Sequence, residues 1–182
     1  MPSAQPQGNG SLPDKQARLA FWLAVAAFIV VADQLTKYYF DTALNYGERW
    51  PVLPFFDFTL LYNPGAAFSF LAEGQGWQRW LFTAIAVGAI ALILHLLRKH
   101  PHQRLFNTSL ALILGGAVGN LVDRLYHGHV IDFLLFYWRQ WHFPAFNVAD
   151  IAITVGAVLL VLDEVLRMAA ERRRKTDHDN IQ

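Results

Sequence analysis

Four apolar stretches, each about the length of a membrane crossing, constrain this chain more than any other feature. They run from about Leu19 to Tyr38, Trp77 to Leu97, Leu105 to Tyr126 and Phe146 to Leu166. Each is close to the roughly 20 residues that a helix needs to cross about 30 Å of hydrocarbon. In lipid every backbone N–H and C=O must be paired within its own segment, so such stretches fold as helices. The sequence therefore predicts an all-α membrane protein with four transmembrane helices. Composition agrees: 54% of the 182 residues are hydrophobic, against roughly 45–50% in soluble domains.

Four crossings leave both termini on one side, and the distribution of basic residues says which. Ten lie at the termini and the 98–104 loop: Lys15, Arg18, Arg98, Lys99, Arg104, Arg167, Arg172, Arg173, Arg174 and Lys175. Five lie on or near the opposite side: Lys37, Arg49, Arg79, Arg124 and Arg139. The positive-inside rule then makes both termini cytoplasmic. The competing reading of the first stretch is a cleaved signal peptide, with Val30-Val-Ala32 as the cleavage site. A long, weakly charged leader argues against it, as does Asp33 at i,i+4 to Lys37, where the two can neutralise each other. Residues 1–17, rich in Gly, Pro, Ser and Gln, read as a disordered tail, and 171–182 as a basic one. Residues 18–170 form the membrane domain.

The outer side carries two unequal segments. Within residues 40–76, Phe55–Tyr62 has strand-like content and Asn63-Pro-Gly65 signals a turn, so a small β-rich cradle is expected between helices one and two. The second, 127–145, holds an aromatic cluster, Phe136-Tyr-Trp138 and Trp141-His-Phe143, suited to the headgroup region.

Two carboxylates stand where lipid should be. Asp150 lies about one turn into the fourth stretch, and Asp132 among Val130, Ile131, Phe133 and Leu134 just past the third. A charge in such a place costs roughly 2.5–3.5 kcal/mol on insertion scales and persists where it has a task or a partner. A helix-dipole role accounts for Asp150 and an interfacial turn for Asp132, each taken singly. Together they suggest a pair that divides acid and base work. In the third stretch, Gly115 and Gly119 permit a close helix approach. A groove narrowed by Gly115, Gly116 and Gly119 is expected to receive a substrate helix. Asn120, Asp123 and Arg124 share a face, and Asp123 is expected to pair with Arg124 as a structural lock.

The absence of cysteine removes thiolate chemistry, and a net charge of +1 offers no basic field for nucleic acid. His127, His129 and His142 lack the spacing of a zinc helix, and neither Ser69 nor Ser109 has a matched base. No metal is expected. Two classes compete with an enzyme: a small transporter or channel using Asp132 and Asp150 as proton or cation sites, and a scaffold whose polar residues are helix locks.

Five motifs carry a family likeness: Asp33-Gln-Leu-Thr-Lys37, Asn63-Pro-Gly-Ala-Ala-Phe68, Gly115–Arg124, Val130-Ile-Asp132-Phe133 and Phe146-Asn147-Val-Ala149-Asp150. In this order the chain resembles the bacterial lipoprotein signal peptidases, the type II signal peptidases. The resemblance implies a four-helix aspartic endopeptidase of the inner membrane, with its active site near the periplasmic face. The substrate it implies is a prolipoprotein carrying diacylglycerol on its lipobox cysteine, cut just before that cysteine. It assigns Asp132 and Asp150 as catalytic, and Asp33, Lys37, Asn63, Gly65, Asn120, Asp123, Arg124 and Asn147 as substrate-binding or supporting residues. It implies no cofactor, a monomer in contact with membrane lipid, and a flap within 40–76 that embraces substrate or a globomycin-like inhibitor.

Overall fold

The computed structural model describes residues 12–65 and 77–179. Four helices, α1 (Leu12–Ala43), α2 (Trp77–Lys99), α3 (Arg104–Tyr126) and α4 (Val148–Asp179), carry at one end a four-stranded sheet. Its strands are β1 (Arg49–Leu53), β2 (Phe56–Asn63), β3 (Val130–Trp138) and β4 (Trp141–His142).

Among the described residues, α1, α2 and α3 are long and apolar enough to cross a membrane. In α4, Asp150, Asp163 and Glu164 interrupt the apolar run, so that helix does not stand with the other three. The central helix is α3. More than half of its apolar stretch (56%) is buried, against 11% for α1 and for α2. Lipid tails are as apolar as leucine, so bundles in lipid are held by close packing and polar contacts, and small residues make the approach possible. A Cβ on Gly115 would stand 2.6 Å from the Ile29 side chain of α1, and one on Gly116 would collide with the Ala149 carbonyl of α4. On Gly119 it would lie 2.5 Å from an Asp33 carboxylate oxygen. The glycine face is thus filled by α1 and α4. It is not an open groove, and the expected entry for a substrate helix is not there.

Both tails are more ordered than the composition suggests. Residues 12–17 belong to α1, whose first turn carries Asp14 in an i,i+4 ion pair with Arg18 (3.0 Å). Helix α4 continues through 171–179, where Glu, Arg and Lys are good helix formers. The remaining tail residues, 1–11 and 180–182, lie outside the described ones.

All strand pairs are antiparallel, in the order β1-β2-β3-β4. The cradle expected between helices one and two is therefore only half of the sheet; β3 and β4 come from the connection between α3 and α4. Asp132, expected on a turn, lies on β3 opposite Leu61, past an irregularity in β2 between Phe58 and Leu61. The inner half of β3 is buried on both faces, so its sequence runs apolar without the alternation that marks a half-exposed strand. The sheet is seated on α1 by Phe40, whose ring stacks on Phe133 at 4.5 Å and contacts Phe58 at 4.7 Å, with Leu44, Leu60 and Ile131 completing the cluster. A second apolar cluster, Ala26, Ile93, Leu97, Leu110 and Leu114, joins α1, α2 and α3 farther from the sheet.

Candidate active site

The start of α4 sets the geometry. Asn147 caps the helix: its Oδ1 accepts the Asp150 N–H at 3.0 Å, and Asp150 Oδ2 accepts the Asn147 N–H at 3.3 Å. This reciprocal box satisfies two N–H groups that a helix start leaves open. It also places the Asp150 carboxylate at the positive end of the helix dipole. The buried amide of Asn147 then turns toward β3 and donates to Asp132 Oδ1 at 2.7 Å. Asn120, on α3, donates to Asp150 Oδ1 at 2.8 Å. Asn63, at the end of β2, donates to Asp132 Oδ2 at 3.1 Å while its Oδ1 accepts the Gly65 N–H at 2.9 Å. Gly65 has a φ of +103°, and a Cβ there would lie 2.6 Å from the Phe82 ring, so the turn needs glycine for both reasons.

Asp132 and Asp150 both line one cavity of about 510 Å³, walled by Tyr62, Asn63, Gly65, Phe82, Arg124 and Pro144 among others. Asp132 is 2% exposed. Burial, and secondarily the nearby Asp150 charge, push its carboxyl up to about 7, against the downward pull of the Asn63 and Asn147 amides. On the far rim, the Tyr62 ring lies 4.3 Å from that of His129, and its hydroxyl donates to Asp41 at 2.9 Å. Burial and neighbouring His127 hold His129 below the ordinary histidine value.

Behind this cavity lies a buried charged node. Lys37 Nζ contacts Asp33 Oδ2 at 2.7 Å, Asp123 Oδ2 at 2.8 Å and Asn120 Oδ1 at 3.0 Å. An ammonium has three hydrogens, and here each has an acceptor. Asp33 Oδ1 also accepts the N–H of Ala149 in the first turn of α4 at 2.9 Å. Asp123 accepts the Ile131 N–H at 3.1 Å and the Gln34 amide at 2.8 Å. Such satisfaction offsets the cost of taking three charges out of water. The Asp33–Lys37 pair read from spacing is therefore present, whereas the expected Asp123–Arg124 lock is not. Asp123 turns inward to Lys37. Arg124 instead donates to the Asn120 carbonyl at 3.2 Å and lies 5.4 Å from the centre of the Phe82 ring, facing the cavity.

All ten site residues read from the sequence thus converge on the node or the cavity. Sequence reasoning did not single out Gln34, which ties α1 to α3 through Asp123 and the Gly119 carbonyl. Its one signal was its place between Asp33 and Lys37. Phe82 gave none, being one aromatic among many in an apolar helix. The expected flap overlaps residues 66–76, which lie outside the described ones, as do Ala66, Ala67 and Phe68 of the Asn-Pro-Gly motif.

Three long apolar helices, with Asp132 of β3 and Asp150 of α4 lining one cavity at the sheet end, make this a membrane protein with a buried polar site. Two solved structures, each described as a bacterial membrane enzyme, share the fold. One is 27% identical, with TM-score 0.73 over 83% of this chain and 91% of that one. The other is 29% identical, with TM-score 0.66 over 79% and 91%. The signal peptidase II family matches residues 25–166. The lipoprotein signal peptidases of Burkholderia mallei and Burkholderia cenocepacia are 56% and 55% identical over 154 residues, 85% of this chain and 93% of each of theirs. The chain belongs to the signal peptidase II family. That membership sets aside the transporter and the scaffold.

Proposed function

We propose that this chain removes the signal peptide of diacylglyceryl-modified prolipoproteins, cutting before the lipidated cysteine, with Asp132 and Asp150 as its catalytic pair. Lipoprotein signal-peptide cleavage follows from the family and the names of its close relatives. The observation that carries the mechanism is the Asn147 side chain, which caps Asp150 with one atom and holds Asp132 with another.

The environments of the two acids divide their roles. Asp150, at a helix N-terminus with donors from Asn120 and the Asn147 backbone, is placed to act as the base. Asp132, buried and raised, keeps the proton. The charge balance supports this. With Asp132 neutral, Asp33, Asp123 and Asp150 face Lys37 and Arg124; a fourth carboxylate would leave two negative charges uncompensated. In the reaction Asp150 takes a proton from water as that water attacks the scissile carbonyl. Asp132 gives its proton to the developing oxyanion or the leaving amine. Arg124 and the asparagine amides supply positive charge and donors along the cavity wall. Asp33, Lys37 and Asp123 keep those groups in place, and Gly65 shapes the turn that carries Asn63.

We further place α4 across the membrane with the other three helices, both termini in the cytoplasm of a bacterial cell and the sheet at the periplasmic face of the inner membrane. The excess of basic residues at the termini and the 98–104 loop supports this orientation. Every site residue comes from one chain, which suits a monomer, and a globomycin-like peptide would occupy the same cavity. The test is incubation of the purified protein with a lipidated and an unlipidated prolipoprotein. Release of signal peptide from the lipidated form alone is expected. Release from neither, or equal release from both, overturns the reading.

A further inference from the structure

One polar side chain at the edge of the buried node takes no part in the proposed reaction. Gln34 lies on α1 and points at α3, where its Nε2 faces three oxygens: Asp123 Oδ1 at 2.8 Å, the Gly119 carbonyl at 3.2 Å and Asp33 Oδ2 at 3.3 Å. All three are acceptors, which fixes the amide with its nitrogen inward. Its two hydrogens go to the nearer acceptors, Asp123 and Gly119. Asp123 is buried, and its oxygens divide their donors. Oδ1 accepts from Gln34, while Oδ2 accepts from Lys37 at 2.8 Å and from the Ile131 N–H at 3.1 Å. The backbone of Ile131 is held twice, its N–H by Asp123 and its carbonyl by the Asn147 amide at 3.2 Å. The next residue is Asp132.

We infer that Gln34 is a positioning residue for cleavage: by orienting the Asp123 carboxylate it fixes the backbone of Ile131, and through it the Asp132 carboxyl in the cavity. The inference rests on the reading that Asp132 and Asp150 are the catalytic pair. The torsion that turns an Asp carboxylate about its Cβ is broad, and two donors on a single oxygen leave that plane free to swing. A donor on the other oxygen sets it. Lys37 therefore supplies the compensating charge and Gln34 the direction. Asn147 braces the same stretch of β3 from α4, so the two helices packed on α3 hold one residue of the strand between them. Gln34 does not line the cavity. It acts at a distance, because a misplacement of about 1 Å at a reacting group can cost about a hundredfold in rate.

The experiment uses the full-length protein in lipid nanodiscs with a diacylglyceryl-modified prolipoprotein peptide. Gln34→Met keeps the length of the side chain and removes its donors. Its kcat per folded molecule should fall about thirtyfold, with KM within about twofold of wild type. Hydrogen exchange in peptides that contain the Ile131 amide should quicken about tenfold. The fall of kcat/KM near pH 7 should move toward acid, because burial is the main cause of the raised Asp132 carboxyl and a loosened strand admits water. Gln34→Glu sets a carboxylate against Asp123, and Asp123→Asn weakens the hold of Lys37, so each should also lose about thirtyfold. Combined, they restore a hydrogen bond of reversed polarity at the same total charge, and the double variant should regain about tenfold over either parent. A merely structural Gln34 would lower the unfolding temperature of Gln34→Met and leave its kcat and pH profile in place. That result overturns the inference, as does a double variant no better than its parents. Wild-type kcat in Gln34→Met beside an inactive Asp132→Asn overturns it and leaves the catalytic pair intact. If Asp132→Asn still cleaves while Gln34→Met quickens exchange at Ile131, the catalytic pair fails and the hold of Gln34 on β3 is upheld.

Discussion

The Asn147 amide donates to Asp132 across 2.7 Å, joining the cap of α4 to the middle of β3. The same residue accepts the Asp150 N–H, so the spacing between the two acids depends on one side chain. Asn147→Ala is expected to lower kcat by about a hundredfold or more, with a smaller loss of thermal stability of about 1 kcal/mol from the missing cap. Kinetics in nanodiscs and a thermal unfolding series check the two together. Activity within a few-fold of wild type would remove Asn147 from its positioning role.

Asp132→Asn and Asp150→Asn should each reduce cleavage by at least about a thousandfold while leaving expression and unfolding temperature near wild type. Asparagine preserves shape and most hydrogen bonds but cannot carry the proton. The double variant should be no worse than either single one, because the two groups act as a unit. Substantial turnover by either single variant contradicts a shared proton.

The pH dependence follows from the raised Asp132 carboxyl. A group held near 7 keeps its proton below that value and loses it above. kcat/KM should therefore fall as pH rises through about 7, and Asp132→Asn should lack that limb in its residual activity. The sign for stability is the same. The folded protein binds this proton more tightly than the unfolded chain, so its contribution is full below about 4 and disappears as pH rises through 7. A pH series of activity beside one of unfolding temperature would test both.

Lys37→Met should be the most destabilising of the polar substitutions, by about 3–5 kcal/mol, because Asp33 and Asp123 would be left as buried carboxylates without their cation. Asp123→Asn should cost less, since Lys37 keeps Asp33 and the amide can still accept. Adding Asp123→Asn to Lys37→Met should recover part of the loss. Unfolding of all three in the same detergent gives the order, and a mild Lys37→Met would overturn it.

For orientation, cysteines at Thr42, on the sheet end of α1, and at His102, in the loop between α2 and α3, should react with a membrane-impermeant reagent from opposite sides of the membrane. Labelling of both from one side would contradict the proposed topology.

What could be read from the sequence followed chain distance. The limits of α2 and α3 were plain from hydropathy, and Asp33–Lys37 from i,i+4 spacing, because both are local. The Lys37–Asp123 bridge spans 86 residues and two helices, and no periodicity announces it. Asp123 sits beside Arg124 in sequence, yet the helix turns the two side chains about 100° apart, which is why adjacency misled. Strand β3 was missed because its buried half is apolar on both faces, a pattern shared with turns at an interface. The small residues at 115, 116 and 119 correctly marked a close approach. They could not say that the approaching partners were α1 and α4 of the same chain.

The contact of Asp33 with the Ala149 N–H joins the first helix to the last. Asp132 is supplied by a strand that leaves α3, and Asp150 by a helix that begins only after that strand has turned back. A chain still emerging from the ribosome therefore carries one acid without the other, and Asp33 of the lysine node without the Ala149 N–H that it accepts. With Asp132 and Asp150 as the proposed pair, proteolytic power would appear only when the fourth helix arrives, and a nascent or truncated copy would be inert.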